Sequence, residues 1–310
     1  MSEQQAADYR DNRSSLLLLI GPFLGFWGFF WLVPLLGSLN QSLEVSPQYL
    51  SQLEETTKIS SFLNFERALN DSKFVHSLEN TFFFVSGTVF LTSCLGFFLA
   101  SILFGLSKFA RRICLFILLI PSLALPGTLA TLFYLFFHGK SGALNQFLII
   151  PFGFDPINWM MDPNWILPCL ILQAVWRWAG LITLLIYCGL CAIPKWQFEV
   201  AQLEGASSWH RISSIFYPGV KHLLFFGGIF LFVDGVAAFS GAYSLLGGSG
   251  GVLDAGLLFV TYAYQVAFPG GAGRFDLPLA YAMCLLVAAF TVLISWFFIF
   301  FRNQQSSKVC

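Results

Sequence analysis

The stretch Phe198–Val220, FEVAQLEGASSWHRISSIFYPGV, sets two acids, an arginine and a histidine between two long apolar runs. Good helix formers dominate from Trp196 to Ala206, Gly205 supplies a flexible backbone point, and Ser207 is placed to cap a second helix running to Phe216. Pro218 is expected to close that helix. Within it Trp209, Ile212, Ile215 and Phe216 recur at spacings of three and four, while His210, Arg211 and Ser214 fall on other faces. The pattern predicts a short helix–turn–helix elbow with one apolar and one polar side. Two readings fit it: a helix pair resting its apolar side in lipid head groups, or a peg that docks into a soluble partner.

The surroundings of the elbow set the fold class. The chain has 310 residues, of which 57% are hydrophobic and only 10% charged, with 37 phenylalanines. A soluble globule carries roughly 25% charged residues, so this is a membrane protein. Crossing ~30 Å of hydrocarbon takes about 20 mostly apolar residues with every backbone group bonded internally. Six runs meet that length: Ser15–Leu36, Thr81–Leu106, Ile113–Phe137, Trp165–Leu190, Leu223–Phe239 and Pro278–Phe301. The expected architecture is all-α: a tail over 1–14, a first span over 15–36, an external loop over 37–80, a five-helix core over 81–301 with the elbow at 193–218, and a tail over 302–310. The first run is too long for a signal-peptide core and is read as retained.

Orientation follows from the basic residues flanking the spans. With both termini cytoplasmic, Arg10, Arg13, Lys108, Arg111, Arg112, Lys195, Arg211, Lys221, Arg302 and Lys308 lie inside, against Lys58, Arg67, Lys73, Lys140 and Arg274 outside. That choice puts the elbow in the cytoplasm. It puts the loops 37–80, 138–164 and 240–277 outside.

Several chemistries are set aside on spacing. The formal net charge is zero and no basic run is long enough to follow a phosphate backbone, so nucleic acid is not a partner. HGKSG at 138–142 has Tyr134 where a phosphate-cradling loop needs glycine, and no ATP site is assigned to this chain. The glycine clusters 247–251 and 270–273 lack dinucleotide spacing and read as loops. The seven cysteines lie in or beside the spans and form no external framework, and Cys188 and Cys191 read as small packing residues. His76, His138, His210 and His222 are scattered, and no metal site is expected.

Two charges fall inside spans, Arg177 in the fourth and Asp234 in the fifth. A charge at bilayer depth costs roughly 2.5–3.5 kcal/mol on insertion scales, so each must face a cavity or a partner. Three readings stand: an internal ion pair, a polar lining for a solute path, or a misplaced span boundary. Trp176 and Tyr243 are near enough in sequence to stack on a solute ring. Pro121 and Pro126 should bend the third span, and Gly180 should allow close packing of the fourth.

The run EVAQLEGASSWHRISSIFYP resembles the signature loop of binding-protein-dependent ABC importer permeases, E-A-A, three residues, G, nine residues, I-x-L-P. Glu199, Ala201, Gly205, Ile215 and Pro218 match, while Val200 replaces the second-position alanine and Tyr217 the leucine. FLNFERALND and FVHSLENTFFF, with Phe74, Asn80 and Thr81, are similar to the approach to the second span in the family's sugar branch. LLGGSGGVLDAGLLFVTYAYQVAF resembles that branch's outer segment, with Gly247 and Gly248 at its glycine pair and Gly250 where proline is common. The resemblance runs from Asn64 to the end of the chain.

The resemblance implies a non-catalytic inner-membrane subunit of a carbohydrate or polyol importer. Its implied partners are a second, generally different permease, two ATP-binding subunits that hold ATP and Mg, and an extracytoplasmic solute-binding protein. It assigns ATPase coupling to Glu199, Ala201, Gly205, Ala206, Ile215 and Pro218, and leaves Trp176, Arg177, Asp234 and Tyr243 as candidates for the path. The other functional class is a secondary transporter or channel working without an ATPase. That class favours repeated spans and more ionisable groups at membrane depth than this chain shows.

Overall fold

A computed structural model describes residues 3–50, 62–268 and 275–306. Lys58, Arg274, Lys308, Cys310 and the glycines at 270–273 lie outside the described residues. The described secondary structure is helical throughout. In order come α1 (Glu3–Ser42), α2 (Pro47–Leu50), α3 (Leu63–Asn70), α4 (Ser72–Gly105), α5 (Lys108–Leu123), α6 (Pro126–Phe136) and α7 (Pro163–Ala192). After them come α8 (Lys195–Leu203), α9 (Ser208–Arg211), α10 (Tyr217–Val236), α11 (Ser240–Leu245), α12 (Phe259–Ala267) and α13 (Leu277–Ser306).

Among the described residues five helical runs are long and apolar enough to cross a membrane: Leu18–Ser42, Ser72–Gly105, Pro163–Ala192, Ser208–Val236 and Leu277–Phe300. The expected third span is not one straight helix. It is the pair α5 and α6, bent by 102°. Pro126 at the start of α6 has no N–H to continue the ladder and restricts Leu125 before it to extended backbone with ψ of 135°; Ala124, where α5 ends, is extended as well at ψ 144°. Counted as one crossing, the pair makes six spans and brings both termini to one side, as the basic residues require.

The core is the contact of α4, α7 and α10. On the elbow side Ala100, Ile182, Ile186, Leu190, Val220 and Leu231 form a buried cluster. On the other side Phe84, Val85, Phe133, Phe137, Leu170 and Leu258 form a second. The helices approach closely through glycine: a Cβ on Gly180 would lie 1.8 Å from the Leu118 carbonyl oxygen, so α5 and α7 touch backbone to backbone there. By contrast α1 packs mainly against α13, receives a hydrogen bond from Asn64 of α3 at its Ser42 carbonyl, and turns Phe23, Trp27, Phe30 and Trp31 outward, as a lipid-facing span does.

The external side is tied together by polar bonds. Thr81 Oγ1 accepts from the Phe259 N–H at 2.9 Å, meeting the first donor of α12, and Asn80 Nδ2 donates to the carbonyls of Asp254 (3.0 Å) and Leu257 (3.2 Å). Asp276 caps α13 through the Leu279 N–H and pairs with Arg67, whose guanidinium also covers the Tyr49 ring at 3.8 Å. Asp276 is 7% exposed and Arg67 18%. Arg67→Ala is therefore expected to destabilise the chain by about 3 kcal/mol, the low end for breaking a buried pair because the arginine keeps some solvent contact. Thermal unfolding in detergent measures it, and a midpoint equal to wild type would show the pair to be idle.

Candidate coupling elbow and solute path

The elbow begins at Pro194 and folds as two helical pieces joined by a fixed turn. Helix α8 ends in a pair of crossed bonds: the Ala206 N–H donates to the Ala201 carbonyl at 2.9 Å and the Gly205 N–H to the Gln202 carbonyl at 3.1 Å. That is the Schellman arrangement, which requires a left-handed residue, and Gly205 supplies it at φ +69°. The glycine is thus a fixed turn residue, not the flexible point expected from sequence. Ser207 then caps α9 as predicted, its hydroxyl accepting from the His210 N–H at 3.2 Å.

Pro218 does not end the second helix. The helix passes from α9 through a π-turn at Ile212–Phe216 into α10, one helical run over Ser208–Val236. The π-turn lets the ladder slip by one residue just before the proline, whose missing N–H then interrupts nothing that must be made. The second piece of the elbow and the fifth span are consequently one rod.

The inner side of the elbow is fastened to α4. Phe104 packs against Phe198 at 5.3 Å and Phe216 at 5.4 Å between ring centroids, and Phe198 meets Phe216 at 5.9 Å. Ala201 is buried beneath this side, so its small side chain serves packing within the chain. Ile215 and Ala206 are half-buried, and Glu199 and Pro218 are exposed. Trp209, on the apolar side expected from the sequence, is 76% exposed. On α8, Trp196 (61%), Val200 (44%) and Leu203 (88%), spaced by four and three residues, are exposed apolar side chains as well. Tyr217, in the leucine position of the resemblance, meets Phe97 edge-on at 6.4 Å.

At the other end of the rod, Arg177 and Asp234 form no ion pair with each other. Both turn to Trp178, which sequence reading passed over: its indole N–H donates to Asp234 Oδ2 at 2.7 Å, and the Arg177 guanidinium lies over its ring at 4.7 Å. Phe230 closes the ring edge at 5.0 Å. Ser122, at the bend of α5, donates to the Arg177 carbonyl at 2.6 Å, and Arg177 Nε is buried without a hydrogen-bond partner. Only composition hinted at Trp178, and in a chain with 18% aromatic residues that signal is diluted.

Trp176 is 56% exposed and touches Phe133 edge-on at 6.5 Å. Tyr243 stands apart from it in an aromatic row with Phe239 (4.9 Å) and Tyr264 (5.4 Å) at the external end of α10. The four residues considered for the path thus fall in three places: Arg177 and Asp234 in a polar centre inside the bundle, Trp176 exposed against Phe133, and Tyr243 in the aromatic row. Among the described residues no group of three or more His, Cys, Asp or Glu side chains is placed to hold a metal.

Over 284 residues the chain is 27% identical to the trehalose/maltose transport system permease protein MalF of Thermococcus litoralis, covering 92% of this chain and 93% of that one. Over 183 residues it is 30% identical to the xylose/arabinose import permease protein XacH of Haloferax volcanii, covering 59% of this chain and 57% of that protein. Its fold matches a chain in the crystal structure of a bacterial ABC transporter involved in the import of the acidic polysaccharide alginate, with a TM-score of 0.79, 19% identity and coverage of 98% and 99%. Residues 92–305 match the family described as binding-protein-dependent transport system inner membrane component. That span takes in four membrane crossings, the elbow and the Trp178 centre, and the chain belongs to this family of ABC importer permeases.

Proposed function

We propose that this chain forms one half of a carbohydrate path through the membrane, with a second permease forming the other half. An extracytoplasmic binding protein delivers the solute, and two ATP-binding subunits, holding ATP and Mg, drive it through the elbow 193–218. The sugar assignment is supported by the names of the relatives, which concern pentoses and disaccharides.

One observation carries the mechanism: the second piece of the elbow is continuous with the helix that holds Asp234. From Ser208 to Asp234 that rod extends about 40 Å at 1.5 Å per residue. Force applied by a motor to α9 around Trp209 reaches the polar centre without crossing a loop, and force on α8 around Leu203 passes through the fixed turn at Gly205. The Phe104, Phe198 and Phe216 contact carries α4 along with it. Small displacements become a switch because packed helices reseat in discrete positions. Glu199 is placed on the exposed side to accept charge-assisted bonds from a partner cation.

At the polar centre, Arg177 Nε is an unused donor and Asp234 an acceptor, a pair suited to sugar hydroxyls, while Trp176 and the row of Tyr243 and Tyr264 offer ring faces for stacking. The test is ATPase activity of the intact assembly with its binding protein across pentoses, disaccharides, polyols, amino acids and inorganic anions. Stimulation by a carbohydrate is the expected result, and stimulation by amino acids or anions alone would overturn the assignment. In the same assay Trp178→Phe removes a hydrogen bond to a charged group, worth about 1.5–3 kcal/mol. Uptake should fall while the subunits still co-purify; uptake at the wild-type level would remove the centre from the path.

A further inference from the structure

Between the external ends of α6 and α7, the segment 143–154 (ALNQFLIIPFGF) contains no charged residue and is bracketed by Lys140 and Asp155. It folds as a π-turn at Asn145–Ile149 and a 3-10 turn at Ile150–Phe152, closed by Gly153 at φ +81°. One side is held to the bundle, where Leu144, Ile149 and Trp159 join the buried cluster of Phe133 and Phe137. The other side presents Phe147 (79% exposed), Leu148 (52%), Ile150 (45%), Phe152 (73%) and Phe154 (69%).

We infer that this segment is a second membrane-binding element, an anchor whose apolar side enters the external leaflet beside α6 and α7. Three observations favour lipid over a protein partner or water. The segment links two spans within a short connection, so it lies at the membrane surface, and Leu132 and Leu135 near the end of α6, the span that leads into it, are outward-facing as well. Its backbone is bonded within itself, as a segment at the edge of hydrocarbon requires. The Gln146 N–H donates to the Gly142 carbonyl, the Gly153 N–H to Ile150 and the Phe154 N–H to Ile149.

Asn145 completes that closure from inside. It is fully buried, donates through Nδ2 to the carbonyls of Gly139 and Ile157, and accepts through Oδ1 from the Ile157 N–H and the Trp159 indole N–H. One side chain thereby satisfies the loop on both flanks of the apolar stretch. Trp159, buried, packs edge-on at 4.9 Å against Trp165 in the first turn of α7 and so ties the far flank of the loop to that span.

The test uses the assembled importer in lipid nanodiscs, with nitroxide labels on single cysteines at Phe152, Phe154 and Asp155 in a background freed of native cysteines. At Phe152 and Phe154 collisions with oxygen should exceed those with a water-soluble nickel chelate severalfold, with the order reversed at Asp155. Nickel collisions dominating at Phe152 and Phe154 would place the segment in water. Protection from both reagents would place it under a second protein. Either result overturns the inference. The unmutated assembly in vesicles with a diazirine-bearing phospholipid gives an independent readout: the peptide 143–154 should be labelled, and labelling of the spans without it would also overturn the inference. Neither measurement involves transport, so both hold whatever solute crosses.

Discussion

Replacing Gly205 by valine is expected to abolish ATP-driven uptake, while replacing it by asparagine leaves most of it intact. The difference lies in the backbone. A Cβ at Gly205 meets nothing within 4 Å, so added volume is harmless there. The left-handed φ of +69° is another matter: it costs an L-residue about 1–2 kcal/mol, most for a β-branched side chain and least for asparagine. That cost lowers the population of the correct turn by a factor of about 5–30. The valine chain escapes by leaving the left-handed region, which breaks the crossed bonds at Ala201 and Gln202 and turns α8 away from α9. Co-purification of the ATP-binding subunits and uptake in proteoliposomes measure the effect. Equal activity of the two variants would show that the turn need not be rigid.

The second large effect is expected at Gly180. Alanine normally favours a helix interior over glycine by about 1 kcal/mol, so Gly180→Ala in α7 should stabilise if only local propensity acted. Packing reverses the sign. The new Cβ would sit 1.8 Å from the Leu118 carbonyl oxygen and 2.4 Å from its carbon, backbone atoms that no rotamer change can move. The cost exceeds the roughly 1–3 kcal/mol typical of overpacking against side chains, and it separates α5 from α7 beside the Ser122 to Arg177 bond. Gly87→Ala is the matched control. Its Cβ would meet the far end of Ile171 at 2.8 Å, which can rotate aside. Folded yield and unfolding midpoint in detergent should drop sharply for Gly180→Ala and little for Gly87→Ala; similar values would deny the close approach.

Length and hydropathy made the spans legible in the sequence, because a membrane admits few backbone solutions. The elbow was legible from Gly205 and Ser207, whose backbone roles are local and hardly depend on the rest of the fold. Features set by tertiary contacts were not. Pro218 reads as a stop in isolation, yet the π-turn before it carries the helix through into the fifth span. Pro121 and Pro126 announced a bend, but its 102° depends on how α6 reseats on α11. Arg177 and Asp234 stood out as charges at membrane depth, and the residue that joins them, Trp178, was hidden among other aromatics. Periodicity put Trp209, Ile212, Ile215 and Phe216 on one apolar side, but it could not tell that Phe216 meets Phe104 of α4 while Trp209 stays exposed.

The account rests on motion entering through the elbow from a separate ATP-hydrolysing subunit. Amide hydrogen exchange, followed in the two-permease complex before and after the ATP-binding subunits are added, reads this directly. Residues 197–210 should become protected, with the strongest change around Leu203 and Trp209. Exchange in those residues unaltered by a bound, active ATPase would contradict the account.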